Sequence, residues 1–257
     1  MKKTLIVMLA LILCVSCFFA VGCGGGKVVE DGATVIVGIT DYPPMDYKIE
    51  GTDEWTGFDY ELSKKIFEEL GYTVEFKLIT DWNTKIVTLN SGNIDCVWNG
   101  MTITEELLDN VLISNVYLDN QQYAVVKADV ASQYTNKESL IGKVVAVEDG
   151  SAAEKAVKDI AVSNLKEAAN QVAALTDVKL GQSDVAIVDR ALAKTWTAQN
   201  TDLVAIDLGF GVEEFGVAFR QSDSKLCWNV NKKLDELKKS GYIAELAEKY
   251  GLPYDLD

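Results

Sequence analysis

Apolar side chains recur along this chain at two spacings, and the spacings alternate. Thr34 to Ile39 is a β-branched run that predicts a strand, which Tyr42-Pro43-Pro44-Met45 then breaks. Phe58, Leu62, Ile66, Phe67 and Leu70 fall on one face of a helix that Asp59 can start and Gly71 can stop. Val74, Phe76 and Leu78 alternate with Glu75 and Lys77, as on a half-buried strand. Ile86 and Leu89 mark a short helix, and Ile94 to Trp98, introduced by Ser91-Gly92-Asn93, is a short mostly apolar run that predicts a buried strand.

A second unit of the same kind begins near Tyr123-Ala124-Val125-Val126. Lys143 to Val147 predicts a strand, Ser151 opens a helix, Val185 to Val188 predicts another strand, and Asp189 to Trp196 begins another helix. Glu214 to Phe219 returns as a strand. Two helices follow, the first carrying Leu226, Val230, Leu234 and Leu237, the second Ile243, Leu246 and Tyr250, with Gly241 as the stop between them. Alternating strands and helices predict an α/β fold with a mostly parallel sheet. At 257 residues the chain can form one large domain or two lobes with separate cores.

The N-terminus stands apart from this pattern. Met1-Lys2-Lys3 is a basic head, Leu5 to Val21 is almost wholly apolar, and Gly22-Cys23 ends the run before Gly24-Gly25-Gly26, which describes a secretory signal. Ala20-Val21-Gly22-Cys23 resembles a bacterial lipobox, with Ala20 where leucine is usual. The resemblance implies a signal peptide over residues 1–22, an acylated Cys23, and a flexible tether over 23–31. An uncleaved transmembrane anchor is the alternative. Cys14 and Cys17 fall in the removed segment, and Cys96 and Cys227 are expected as free buried thiols.

Charge narrows the function classes. Without Lys2 and Lys3, 22 basic residues face 39 acidic ones, a net charge of −17, which repels nucleic acid and anionic lipid. The chain has no histidine, which excludes Ser-His and Cys-His nucleophile pairs and zinc sites that need imidazole. No metal and no cofactor is expected.

Gly100-Met101-Thr102-Ile103-Thr104-Glu105-Glu106, directly after the Ile94 to Trp98 run, closely resembles a motif of bacterial solute-binding protein family 3, the polar amino-acid binding components of ABC importers. There the motif reads roughly G-M-T-I-T-x-E-R. The resemblance implies a type II periplasmic-binding-protein-like α/β fold, with two α/β lobes joined by a two-strand hinge and the ligand cleft between them. Lobe 1 would comprise residues 32–121 and 216–257, and lobe 2 residues 122–215.

It also implies a site. Tyr42 and Phe58 match aromatic positions that sandwich the ligand, although core packing at a helix start is the alternative for Phe58. Asn99, Gly100 and Thr102 lie where a carbonyl and a hydroxyl accept from a ligand ammonium, and Asp189 lies where a carboxylate pairs with it. Asp189 can also serve as a helix N-cap.

The carboxylate side of the site departs from the family. Leu107 stands at the position of the clamping arginine, and Ala152 follows Ser151 where a second hydroxyl is usual. Truncating one partner of a buried charge pair costs about 2–5 kcal/mol. Of the two arginines, Arg220 matches a surface segment of the family and Arg190 is expected to point away from the cleft. Glu148 adds an acid near the cleft mouth, unless it is a solvated loop residue. The amides of Gly150, Ser151 and Ala152 offer a remaining place for a carboxylate.

These features lead to the expectation of an extracytoplasmic, lipid-anchored monomer that captures a small ammonium-bearing solute by hinge closure and delivers it to a membrane permease. Amines are expected to bind at least as well as the matching α-amino acids. An enzyme resembling cyclohexadienyl dehydratases, with Glu148 as proton donor, is the alternative, and a sensory ligand-binding module is a third.

Overall fold

The computed structural model describes Glu30, residues 32–160 and residues 162–254. The leader, the Cys23 lipidation site and most of the tether lie outside the described residues. In chain order the first elements are β1 (Thr34–Ile39), β2 (Tyr47–Lys48), β3 (Trp55–Thr56), α1 (Phe58–Glu69), β4 (Thr73–Leu78), α2 (Lys85–Asn90), β5 (Cys96–Val97), α3 (Glu105–Asn110) and β6 (Leu112–Ile113). There follow β7 (Leu118–Lys127), β8 (Val144–Glu148), α4 (Ala152–Lys158), β9 (Asn164–Ala168), α5 (Gln171–Lys179), β10 (Val185–Asp189), α6 (Arg190–Gln199), β11 (Leu203–Ile206) and β12 (Val212–Phe215). The chain closes with β13 (Ala218–Phe219), α7 (Ser224–Lys239) and α8 (Tyr242–Lys249).

Two large sheets, each with its own helices, and a short antiparallel β2-β3 ribbon organise these elements. The first runs β4-β1-β5-β13-β6, with β1 parallel to β4 and β5 and β13 antiparallel to its neighbours. The second runs β11-β7-β10-β8-β9, with β8 parallel to β9 and β10. The long strand β7 carries the chain out of the first lobe, and β12 pairs antiparallel beside it on the way back, Val212 opposite Gln121 and Phe215 opposite Leu118. Two paired crossing strands make a junction that can bend without breaking either core.

The continuous strand read from Glu214 to Phe219 is divided, because the chain changes sheets at Gly216 and Val217. There the Gly216 amide donates to Met101 O at 3.1 Å, and the Val217 amide donates to the Ser114 hydroxyl at 2.9 Å.

Helix α1 shows why the elements settle as they do. Leu62, Ile66 and Phe67 face inward at helical spacing and are fully buried, and Gly71 ends the helix with its N–H on Glu68 O. Asp59 does not cap the helix. Its buried carboxylate turns into the lobe and accepts from the Gly100 amide at 2.5 Å and the Tyr117 hydroxyl at 2.9 Å. Burial pushes its pKa up to about 7.

Arg220 is likewise interior rather than on the surface. Its guanidinium pairs with Asp95 at 2.8 Å and Asp223 at 2.7 Å and donates to the carbonyls of Leu89 and Ile94. Cys96 and Cys227 are buried and free. Among the described residues, no helix is long and apolar enough to cross a membrane.

Candidate functional site

A cavity of about 610 Å³ opens between the lobes, where the loops after β1, β5, β8 and β10 converge. Strand ends bring unpaired backbone groups and helix starts to the same place, which is where ligands of open α/β sheets bind. Tyr42, Asn99, Gly100, Thr102, Leu107, Glu148, Ser151, Ala152 and Asp189 all line it. Phe58 does not. Its ring is fully buried behind the cavity, stacked on Tyr117 with centroids 6.3 Å apart, because the first residue of α1 is turned into the core.

The first lobe supplies a close-packed floor. Gly100 has φ +51°, and a side chain there would meet the Tyr42 ring at 2.6 Å and the Phe215 ring at 3.2 Å, so only glycine lets the strand end run between them. The Asn99 side chain is spent holding strand ends together: its carbonyl oxygen accepts from the Thr40 amide at 2.6 Å and its amide donates to the Thr40 hydroxyl at 2.7 Å. That leaves the backbone of this turn, and the Thr102 hydroxyl, to face a ligand.

Asp189 is the centre of the second-lobe wall. It stands at the N-cap position of α6 but makes no capping bond with its side chain. Instead Oδ1 accepts from the side-chain amides of Asn120 and Gln122, the latter at 2.8 Å, and Oδ2 accepts from Gln171. Gln171 also accepts from the Asp189 amide at 2.9 Å. Burial raises the Asp189 pKa, and these amide donors oppose the shift.

Glu213 of β12, which the sequence reading missed, accepts from Gln122 at 2.9 Å, Asn120 at 3.1 Å and the Thr102 hydroxyl at 3.1 Å. A polar chain thus runs from Thr102 in the first lobe, through the hinge strands, to Asp189 in the second. Burial and then the neighbouring Asp189 raise the Glu213 pKa. Glu148 is 6 % exposed, so it is a wall residue and not a solvated loop acid, and burial followed by Asp189 pushes its pKa up to about 8.

The carboxylate side differs from the sequence reading. Leu107 lines the cavity as an apolar side chain packed with Ile79, Trp82 and Met101. The Gly150 and Ser151 amides are already engaged, Gly150 donating to Glu154 Oε2 at 3.0 Å and Ser151 donating to Glu148 O at 3.3 Å. Two of the three amides proposed for a ligand carboxylate are therefore occupied by the local turn and the helix cap. The sequence reading also overlooked Lys85, a half-buried cavity-lining lysine on α2.

Among the described residues, Asp149, Glu154 and Glu167 hold carboxylate oxygens within 4.8 Å of one another, as a metal site needs. Lys158 already supplies the positive charge there, pairing with Glu154 and lying 3.7 Å from Glu167.

The pattern that defines the bacterial extracellular solute-binding proteins, family 3, matches residues 35–253. The chain is 32 % identical to the arginine-binding extracellular protein ArtP of Bacillus subtilis (strain 168) over 259 residues, covering 97 % of this chain and 98 % of that protein. An ancestral arginine-binding protein bound to arginine has a similar structure, with a TM-score of 0.80 and 36 % identity, over 84 % of this chain and 97 % of that one. The ancestral amino acid-binding protein AncCDT-1, a precursor of cyclohexadienyl dehydratase, is similar with a TM-score of 0.79 and 34 % identity, over 84 % and 95 % of the two chains.

Proposed function

The chain belongs to the family 3 bacterial extracellular solute-binding proteins, the solute-capturing components of ABC importers, and from that premise we propose that its solute carries an ammonium group held by Asp189. The observation that carries this reading is the state of Asp189: a buried carboxylate, fixed by three side-chain amides, facing a cavity and paired with no lysine or arginine among the described residues. Neutral amides orient a carboxylate without cancelling its charge. A cation entering the cavity completes the pair, with Thr102 and the Gly100 turn accepting from its remaining protons.

Asp189, Glu213 and Glu148 bring three buried carboxyls of raised pKa close together, more than one ammonium can pair with once they ionise. This favours a solute with a second cationic group, and the arginine-binding relatives make arginine the first ligand to try. The bound solute would hold the lobes closed and so present both to a membrane permease. We further place residues 32–121 and 216–257 in one lobe and 122–215 in the other. The protein would act as a monomer, anchored outside the cytoplasm through an acylated Cys23.

Calorimetry on the mature domain tests the reading. Arginine or another ammonium-bearing solute should bind without being consumed, and Asp189→Ala should abolish binding while the fold survives. Bound ligand at about 100 times its Kd should stabilise the wild type by roughly 2.7 kcal/mol. Retained binding in Asp189→Ala would overturn it.

One observation favours a second reading. A carboxyl held near pKa 8 is protonated at neutral pH, as a general acid must be, and Glu148 faces the same cavity. Product formation from prephenate or arogenate, lost in Glu148→Gln, would replace a binding protein by a dehydratase.

A further inference from the structure

Most positive groups around the cavity are already engaged, and among the described residues Lys85 is the partly buried one placed to meet a ligand anion. Arg190 reaches Gln121 Oε1 at 3.1 Å and Asp119 O at 3.3 Å, and it does not line the cavity. Arg220 is locked in the core of the first lobe. Lys158 is committed to Glu154 and Glu167, and Lys155 is exposed at the mouth. The Gly150 and Ser151 amides are engaged within their own turn.

Lys85 is placed differently. Its ammonium sits 4.7 Å from the centre of the Trp82 ring and donates to two carbonyls, Trp82 O at 3.1 Å and, across the cleft, Gly150 O at 3.2 Å. An ammonium has three donors, so one remains. Burial lowers the Lys85 pKa and Glu148, Glu106, Asp81 and Asp149 oppose that shift through space, but no carboxylate among the described residues forms an ion pair with it. Carbonyls and an aromatic face orient a cation without neutralising it. Glu148 feels both Asp189 and Lys85, so the wall carries anionic and cationic groups within electrostatic reach of one carboxyl. An α-amino acid has the same two ends.

Building on the proposed ammonium site, we propose that Lys85 binds the carboxylate of an α-amino acid and is the specificity-determining cation of this cleft. Leu107, at the position of the family's clamping arginine, then leaves the task to a lysine on another element. The Gly150 carbonyl gives the lysine a second effect. With one ammonium held by a first-lobe carbonyl, a second-lobe carbonyl and the ligand, carboxylate binding also favours lobe closure. This reverses the expectation that amines bind as well as their parent amino acids.

The test is calorimetry on three pairs, arginine with agmatine, lysine with cadaverine, and histidine with histamine, using wild type, Lys85→Met, Lys85→Gln and Lys85→Arg. Wild type should prefer the amino acid in at least one pair. Lys85→Met and Lys85→Gln should each weaken that amino acid by roughly thirtyfold or more, the range for truncating one partner of a buried charge pair. The same variants should weaken the amine much less than the amino acid, because the amine loses only the Gly150 closure contact while a positive charge leaves an acidic cavity. Lys85→Arg should recover part of the loss.

Equal losses for both members of a pair would make Lys85 a closure contact only and overturn the proposal. So would unchanged amino-acid binding in Lys85→Met and Lys85→Gln, or a wild type that binds the amine alone. A wild type that binds none of the six compounds would overturn the ammonium site as well. Melting curves of the unliganded variants identify any that fail to fold.

Discussion

The lobes approach closely at one glycine, and replacing it is a quantitative test of the closed geometry. Gly150 follows β8 in the second lobe and faces Asn83, which precedes α2 in the first. An alanine Cβ at position 150 would lie 2.0 Å from Asn83 Oδ1, 2.7 Å from its Cγ and 3.3 Å from its Cα. Ordinary carbon contacts are about 3.5–4.0 Å, so the Asn83 side chain must swing away and the backbones must separate slightly.

A side chain forced off its preferred rotamer costs about 0.5–1.5 kcal/mol, which weakens ligand binding roughly twofold to tenfold if the clash exists only when the lobes are closed. Gly150 also has φ +71°, where alanine is strained by about 1 kcal/mol. That strain is present with the lobes open or closed. It lowers the melting temperature of the unliganded protein and cancels from the affinity.

The two effects separate in a double mutant, because Asn83→Ala removes both atoms of the severe clash. Gly150→Ala should lose affinity for arginine by calorimetry, and Asn83→Ala with Gly150→Ala should recover most of it. The reduced melting temperature should persist in both. Wild-type affinity in the single mutant would refute the closed arrangement, and so would a double mutant as weak as the single one.

Four further outcomes follow from the site and the leader. Glu148 titrates near 8 when no cation is bound, and a bound cation favours its ionised form, so the complex holds fewer protons than the free protein. Affinity for arginine should therefore rise between pH 6 and 8, with proton release measurable in buffers of different ionisation heat, and both effects should shrink in Glu148→Gln. Because the same raised pKa means the folded protein keeps a proton that the unfolded chain loses above about 4.5, unliganded stability contributed by this group should fall as pH rises from 5 to 8. Asp59→Ala should lower unfolding free energy in urea by about 2–4 kcal/mol, since it strands the buried Gly100 amide and Tyr117 hydroxyl. Palmitate labelling should mark the wild-type protein and not Cys23→Ser, and equal labelling would instead favour a transmembrane anchor.

The residues proposed for the ammonium were named from a motif resemblance before any coordinates, and the structure brings them to the lining of one cavity. Gly100 and Thr102 end one strand and Asp189 ends another, and strand ends of an α/β sheet are where ligands meet the backbone. Phe58 was misplaced for a physical reason. An aromatic residue at the start of a helix can turn toward the cleft or toward the core, and only the packing against Tyr117 decides. Arg220 matched a surface segment, yet Asp95 and Asp223 draw it inside.

What the sequence determined by itself is therefore the alternation of strands and helices, the identity of the residues at their ends, and a balance of charge that favours cations over anions. Local spacing encodes those properties, since a side chain's face on a helix or strand follows from its neighbours. The tertiary structure decided which polar groups meet. Lys85 finds its second carbonyl 65 residues away, Thr102 finds Glu213 across 111, and Asp189 finds Asn120 across 69. No periodicity spans such distances. Whether an acid in the cleft ends up beside an amide, another acid or a lysine is fixed only when the two lobes and their crossing strands come together, and that choice sets both its charge and what it can bind.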